Sequence, residues 1–281
     1  MEKQEIRALA RELHETVPGN RLSAGEGIRP DCVGLQFFDA PLIGFGAADD
    51  PLFAAFQSPE AVGPWYMRPE EWLAGARSVI SLFFPISAPI RAANARETAQ
   101  ASLEWCYARI EGQDYIGAFM AAMAKRLGER GAACCIPQYD PRWEVIRAGK
   151  GIEGYEEIVR PTTFSSRWSE RHAAYVCGLG TFGLSKGLIT ERGIAGRFAS
   201  IVTDLSIEAD ARPYAGLYDY CIRCGACARR CPVGAIDPET GKRHLPCSAH
   251  VGKSKVIFAP RYGCSLCQTA VPCEDRNPAR G

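Results

Sequence analysis

No stretch of this chain approaches the roughly twenty apolar residues in a row that a membrane-spanning helix needs, so no integral helical membrane protein is read here. The opening Met1-Glu2-Lys3-Gln4-Glu5-Ile6-Arg7 has no apolar core behind a basic start and no twin arginine, so no secretory leader is expected. Charge of one sign is also lacking. Lys plus Arg number 33 against 32 Asp plus Glu, a net +1, which argues against a protein that coats nucleic acid or a polybasic membrane binder. The basic residues Arg223, Arg229 and Arg230 read as a solvated rim. There is no low-complexity segment. No internal repeat occurs beyond a pairing of cysteine groups near the end of the sequence.

Cysteine is what the chain has in excess: 13 in 281 residues. A disulfide scaffold would be shorter and more evenly stapled, so clustered thiols in a chain of this length point to metal in a reducing compartment, hence to the cytoplasm. The stretch Cys221-Ile222-Arg223-Cys224-Gly225-Ala226-Cys227-Ala228-Arg229-Arg230-Cys231-Pro232 is the bacterial iron–sulfur run, in which a fourth cysteine after three tight ones is followed by proline. Cys247, then Cys264 and Cys267, then Cys273 follow. Eight thiolates suffice for two four-iron clusters. In two-cluster ferredoxins the fourth cysteine of the run serves the other cluster. The same crossing puts Cys221, Cys224, Cys227 and Cys273 on one cluster and Cys231, Cys247, Cys264 and Cys267 on the second. Structural zinc, which also favours cysteines two apart, is the competing reading.

The rest of the chain has an ordinary globular balance, 47% hydrophobic and 23% charged, enough for a large domain followed by a small one. Ile6, Leu9, Ala10 and Leu13 repeat at helical spacing. Cys32 to Phe38 reads as a strand, and 51–64 as a wrapped loop carrying Phe53 and Phe56, with Trp65 next to it. Pro69 opens a helix with Glu70 and Glu71 in its first turn. Ser78 to Phe84 is an uninterrupted apolar run that suits a central strand buried on both faces. A helix is expected from about Glu97 to Arg130, with a break at Gly112. Ala133 to Ile136 reads as a strand holding the pair Cys134-Cys135, taken as packed thiols. Residues 139–163, with Gly149, Gly151 and Gly154, read as a long loop of the kind that carries function. A helix from Arg167 to Cys177 stops at Gly178. The segment from Gly178 to Gly187 is glycine-rich, but it follows a helix, so it fails as a dinucleotide fingerprint. Phe198 to Leu205 is the strand before the cysteine-rich part.

The order of these pieces resembles a known family. An α/β domain, Glu170-Arg171, Gly178-Leu179-Gly180-Thr181-Phe182-Gly183-Leu184-Ser185-Lys186, a strand ending Val202-Thr203-Asp204-Leu205, the run Cys221 to Cys231 with Pro232-Val233-Gly234-Ala235-Ile236, the lone Cys247, and Tyr262-Gly263-Cys264 through Cys267-Gln268 are similar to epoxyqueuosine reductase and, more distantly, to the reductive dehalogenases. The likeness is clearest over 165–273. It implies an α+β fold: a nitroreductase-like cofactor and substrate domain over 1–210, then a ferredoxin-like domain with two [4Fe-4S] clusters over 211–281. It further implies a cobalamin bound beside the glycine loop by Gly178, Gly180, Thr181, Phe182, Gly183, Ser185 and Lys186, and fed by the nearer cluster.

Two places depart from the family pattern. The family's reductases for epoxyqueuosine carry a proton-donating aspartate about six residues before the Glu-Arg pair, where this chain has Thr163-Phe164-Ser165-Ser166. The closing step from Cys267 to Cys273 is two residues longer than usual. A helical-repeat extension of the kind that tRNA-acting members carry is not expected. The candidates for a replacement acid are Tyr139, Asp140, Glu170, His172 and Tyr175, to be judged by position. The sequence therefore predicts a corrinoid- and iron–sulfur-dependent reductase of a small molecule, supplied by a ferredoxin- or flavodoxin-type donor. The alternatives are an electron-transfer protein that reduces a partner corrinoid protein or metalloenzyme, and a flavin in place of the corrinoid.

Overall fold

The computed structural model describes residues 1–147, 155, 157–160 and 163–280. Its helices are α1 (Lys3–Thr16), α2 (Pro51–Ala55), α3 (Pro69–Trp72), α4 (Ala88–Arg96), α5 (Leu103–Gly128), α6 (Glu170–Val176), α7 (Ala226–Arg229) and α8 (His244–Ile257). Its strands are β1 (Leu42–Ala47), β2 (Ser78–Pro85), β3 (Cys134–Cys135), β4 (Val145–Arg147), β5 (Phe164–Ser166), β6 (Gly180–Phe182), β7 (Leu188–Thr190), β8 (Gly196–Thr203), β9 (Ile236–Asp237) and β10 (Gly241–Lys242).

The main sheet is antiparallel throughout, in the order β1-β2-β8-β3. All eight residues of β2 are buried, as its unbroken apolar run requires of a strand covered on both faces. Alternation sends Ile80, Leu82 and Phe84 toward α1 and α5, where Ile6, Leu9, Ala10 and Leu13 supply the other half of the largest core. Val79 and Phe83 point the other way, toward α6 and the aromatic group around Trp168. β1 lies against the end of α6. A Cβ on Gly44 would stand 2.2 Å from the Cys177 carbonyl oxygen, so only glycine permits that approach.

Three expectations are corrected. The region Cys32–Phe38 holds a short 3-10 turn and two isolated bridges, and the edge strand is β1, further on, whose two glycines disguised it. The helix expected from Glu97 with a break at Gly112 is α5, which runs through Gly112, where the missing side chain admits Phe38. The stretch 51–64 opens with α2, and Phe53 and Phe56 are ordinary core around Trp168. The long loop is closed by a β4–β5 hairpin, while Gly149, Gly151 and Gly154 lie outside the described residues.

The cysteine-rich segment is seated on the sheet unit by specific bonds. Ile194 N–H donates to the Cys273 carbonyl (2.8 Å) and Ala195 N–H to that of Glu274 (3.0 Å). Arg91 pairs with Glu274 and Asp275, each at 3.2 Å. The buried Asn94 donates to Thr269 Oγ1 (3.1 Å), and Arg230 donates back to the Asn94 carbonyl (3.3 Å). No helix among the described residues is long and apolar enough to cross a membrane.

Candidate functional site

Of the eight cysteines of the closing segment, Cys221, Cys224, Cys227 and Cys273 line one small apolar pocket, a first group, and Cys264 and Cys267 lie among the charges of Cys247 and Cys231, a second. Cys273 is pushed up to about 12, by burial first and then by the charges of Cys221, Cys227 and Cys224. Cys264 is pushed up to about 11 by burial, with Cys267 and Cys247 adding to it. Cys267 rises for the same first reason, with Cys247 and Cys231 as its cysteine neighbours. Cys227 is the exception that joins the groups: beyond burial, Cys267 acts on it more than Cys221 or Cys224 does. The first group shares apolar walls with Ile189, Ile194, Tyr220 and Val271. Lys242 stands at the second, where burial would lower its pKa but Cys267 and Cys247 raise it. Four thiols lining an apolar pocket suit metal by the chemistry of the donor set, since metal deprotonates its thiol ligands on binding, while among the described residues no three such side chains are gathered around one point.

A cavity of about 360 Å³ opens between this segment and the sheet unit. Ser265 and Gln268, which flank Cys267, form one wall together with Arg171 and Gly187. Arg171 donates to the Lys186 carbonyl and lies within electrostatic reach of Cys267. Arg109 of α5 and Arg197 of β8 line the same space, with Trp105, Trp168 and Phe198 as apolar surface.

Glu170 sits in this cavity at the start of α6. Trp168 Nε1 donates to Ser200 Oγ (2.9 Å), and Ser200 Oγ donates to Glu170 Oε2 (2.7 Å). Glu170 Oε1 is buried with no partner. Desolvation by burial pushes the carboxyl up to about 7, against the pull of the Ser200 and Trp168 bonds. A carboxyl that burial raises toward neutral pH, held by a buried hydroxyl and lining a cavity, has the properties of a general acid.

The other acid candidates stand elsewhere. Asp140 is held well below the usual carboxylate range by Arg142, which it meets at 2.8 Å. Tyr139 is 45% exposed and hydrogen-bonded to Gln113 (2.7 Å). His172 is wedged between Phe56 and Phe182, ring centroids 4.8 and 5.0 Å away, and burial lowers it to about 4, so it is neutral at pH 7. Tyr175 packs on Tyr214.

The glycine segment is a β6–β7 hairpin that meets protein on most sides. A Cβ on Gly180 would stand 1.9 Å from the Ile189 carbonyl oxygen, and Gly178 adopts φ +78° beside the Ala211 carbonyl. Thr181 Oγ1 accepts from Tyr220 N–H (2.8 Å), and Phe182 N–H donates to the Leu217 carbonyl (2.7 Å). Gly183 and Ser185 line the pocket of the first cysteine group, and Lys186 is exposed at φ 60°. None of the seven residues expected to hold a cofactor lines the larger cavity, whereas Gly187 and Leu188, next along, do. Sequence reasoning missed Arg109, Arg197 and Gln268 as cavity residues. The one available signal was an arginine inside the apolar run of β8.

A family model described as a 4Fe-4S binding domain matches residues 217–237, which contain Cys221, Cys224, Cys227 and Cys231. No curated protein matches by sequence. Among solved structures, a selenomethionine-labelled epoxyqueuosine reductase is 15% identical, with a TM-score of 0.50 over 96% of this chain and 66% of that one. The chain has the epoxyqueuosine reductase fold. The Bacillus subtilis epoxyqueuosine reductase is 16% identical (TM-score 0.49, 96% and 66%). A reductive dehalogenase whose structure suggests a mechanism for B12-dependent dehalogenation is also 16% identical (0.48, 100% and 39%). The chain spans 66% of the length of the first of these reductases.

On this fold the cavity residues suit a corrinoid in kind. The corrin rim carries amides, whose carbonyls match the donors of Arg171 and Gln268 beside Cys267, and whose N–H groups match the unpartnered buried Oε1 of Gln138. The open mouth is needed, because a corrinoid is larger than the enclosed part.

Proposed function

We propose that this chain is a cytoplasmic iron–sulfur reductase that carries two [4Fe-4S] clusters in its cysteine quartets and a corrinoid in the cavity, and that it reduces a small molecule there. The observation that carries this reading is that Glu170 and the residues flanking Cys267 line the same cavity. An acid and an electron outlet thus meet in one space. In this reading residues 1–210, related to the nitroreductase-like cofactor domains, form the substrate side, and 211–281 the electron side.

A bound corrinoid would supply a cobalt centre able to pass low-potential electrons to substrate, a potential that four-cysteine clusters reach, down to roughly −700 mV. Everything else falls to the chain's own groups. Exposed Cys224 offers the entry side for a ferredoxin- or flavodoxin-type donor. Cys227 and Cys267 bring the two quartets nearest, and Arg171 with Gln268 orients what lies beyond Cys267. Glu170 Oε1 holds the proton for the leaving or reduced group, in place of the aspartate that the family pattern has before the Glu-Arg pair. Ser200 fixes that carboxyl, so that the proton stands on the oxygen facing the cavity.

The test is anaerobic purification, cluster reconstitution and addition of cobalamin, followed by iron analysis and absorption spectroscopy. Roughly eight irons per chain with a retained, base-off corrinoid is the expected result. Eight irons without retained corrinoid would sink the reductase reading and leave an electron carrier for a separate corrinoid protein.

A further inference from the structure

Three guanidiniums line the cavity, and among the described residues none of them has a carboxylate within ion-pair distance. Thirteen other basic side chains of this chain do find one. Arg171 lies near Cys267, whereas Arg109 and Arg197 feel each other's charge. Arg197 is lowered to about 10 by burial first and then by Arg109. Two half-buried like charges side by side are held there against their repulsion, and an anion between them removes that penalty.

Both forks are pre-positioned. Gln113 Oε1 accepts from Arg197 Nε (2.8 Å), which leaves the two Nη nitrogens of Arg197 for the cavity. Arg109 sits over Tyr262, its Cζ 4.4 Å from the ring centroid. Trp105 is one helical turn before Arg109 on the same face of α5, and both line the space. A cation pair next to an indole describes a ligand with a charged end and an apolar body.

We propose that Arg109 and Arg197 form an anion subsite that takes the carboxylate of a small organic acid, whose apolar body lies against Trp105, Trp168 and Phe198. Planar guanidinium forks match a carboxylate with two parallel bonds, and about 360 Å³ suits a small ligand. This names the substrate class for the reductase reading and rests on it for the reaction, but the binding itself needs no turnover.

Reconstituted protein is titrated by calorimetry with benzoate and with its neutral isostere benzamide. Benzoate should bind saturably and about tenfold or more tighter than benzamide, because charge-assisted bonds are lost with the amide. That preference should disappear in Arg197→Gln and in Arg109→Gln, and persist in Arg96→Gln, an exposed arginine at the end of α4. Comparing two ligands on one variant keeps the result readable if a variant is less stable. In the wild type alone, the preference should shrink with rising salt. Equal binding of the two ligands, or a preference that survives both cavity substitutions, overturns the proposal. A third arm adds cobalamin. Displacement of benzoate would assign the pair to the cofactor's phosphate and also overturn it, whereas failure of cobalamin to bind sinks the reductase reading and leaves the benzoate result intact.

Discussion

Glu170→Gln separates the ionisation of this carboxyl from its shape. A rise from the ordinary 4.5 to about 7 means that the folded state favours the protonated form. Stability is therefore fullest below pH 4.5 and is lost as pH rises through 7. The whole interval corresponds to about 3 kcal/mol when the cavity stays dry, and to less as water enters. Glutamine keeps the acceptor for Ser200 Oγ and never ionises. The variant should thus lead by about 1 kcal/mol near pH 5.5 and by about 3 kcal/mol at pH 8.5. At roughly 2–4 °C per kcal/mol for a chain somewhat shorter than this one, the larger lead is of the order of 5–10 °C. Scanning calorimetry on anaerobically reconstituted protein between those pH values measures it. Parallel melting curves for the two proteins would show that Glu170 titrates as an ordinary surface carboxyl, and the acid role would go with it. In a turnover assay the same variant should lose about 10²–10⁴-fold with its iron content unchanged.

The cysteine division predicts that Cys231→Ser and Cys273→Ser each remove a different cluster, so that each keeps roughly four irons and the double variant keeps none. Two single variants with the same surviving electron-resonance signal would refute the crossing. Lys242→Met removes a positive charge from beside Cys267 and Cys247 only, and should make the potential of that cluster more negative while the other stays put, as read by redox titration. Gly193→Ala should destabilise by about 2–4 kcal/mol, since its φ is +77° and its Cβ would lie 2.3 Å from the Glu274 carbonyl oxygen. Gly34→Ala, at φ +88° with open space around it, should cost only about 1 kcal/mol. Equal losses in a denaturant titration would mean that the seam between sheet and cysteine segment is soft at Gly193.

How legible each part was depended on whether its signal is local. β2 and α1 were read correctly because burial on both faces, or on one stripe, writes itself directly into residue order. β1 was missed because its partner contact is with the end of α6, which demands Gly44 and Gly46 where a strand pattern would show larger residues. The cysteine spacing was legible because four ligands close in sequence must also be close in space. Glu170 was one of five acid candidates on paper, and only packing separates it from the others. Asp140 is neutralised by Arg142 two residues on, while Glu170 meets Ser200, thirty residues away on β8. Arg109 left no mark, and Arg197 only that of an arginine inside an apolar strand. Their partnership joins a helix to a strand across the sheet, and no spacing rule reaches that far.

The glycine segment shows how a motif can be recognised while its work is misplaced. Four glycines before a metal segment suggest a cradle for a large ligand, yet a Cβ at Gly180 or Gly187 would strike Ile189 or Ile194. Thr181 and Phe182 spend their hydrogen bonds on Tyr220 and Leu217, at the entrance to the cysteine run. The small residues therefore allow the β6–β7 hairpin to pack flush between α6, which carries Glu170, and the pocket of the first cysteine group. Such a brace fixes the distance between the acid and the metal segment, and a change there should move both together. Thr181→Val, which leaves the Tyr220 N–H without its acceptor, should cost about 1–3 kcal/mol. It should also loosen cluster retention under a chelator more than an equally destabilising change in α1. Equal chelator sensitivity at equal stability would make the hairpin ordinary core.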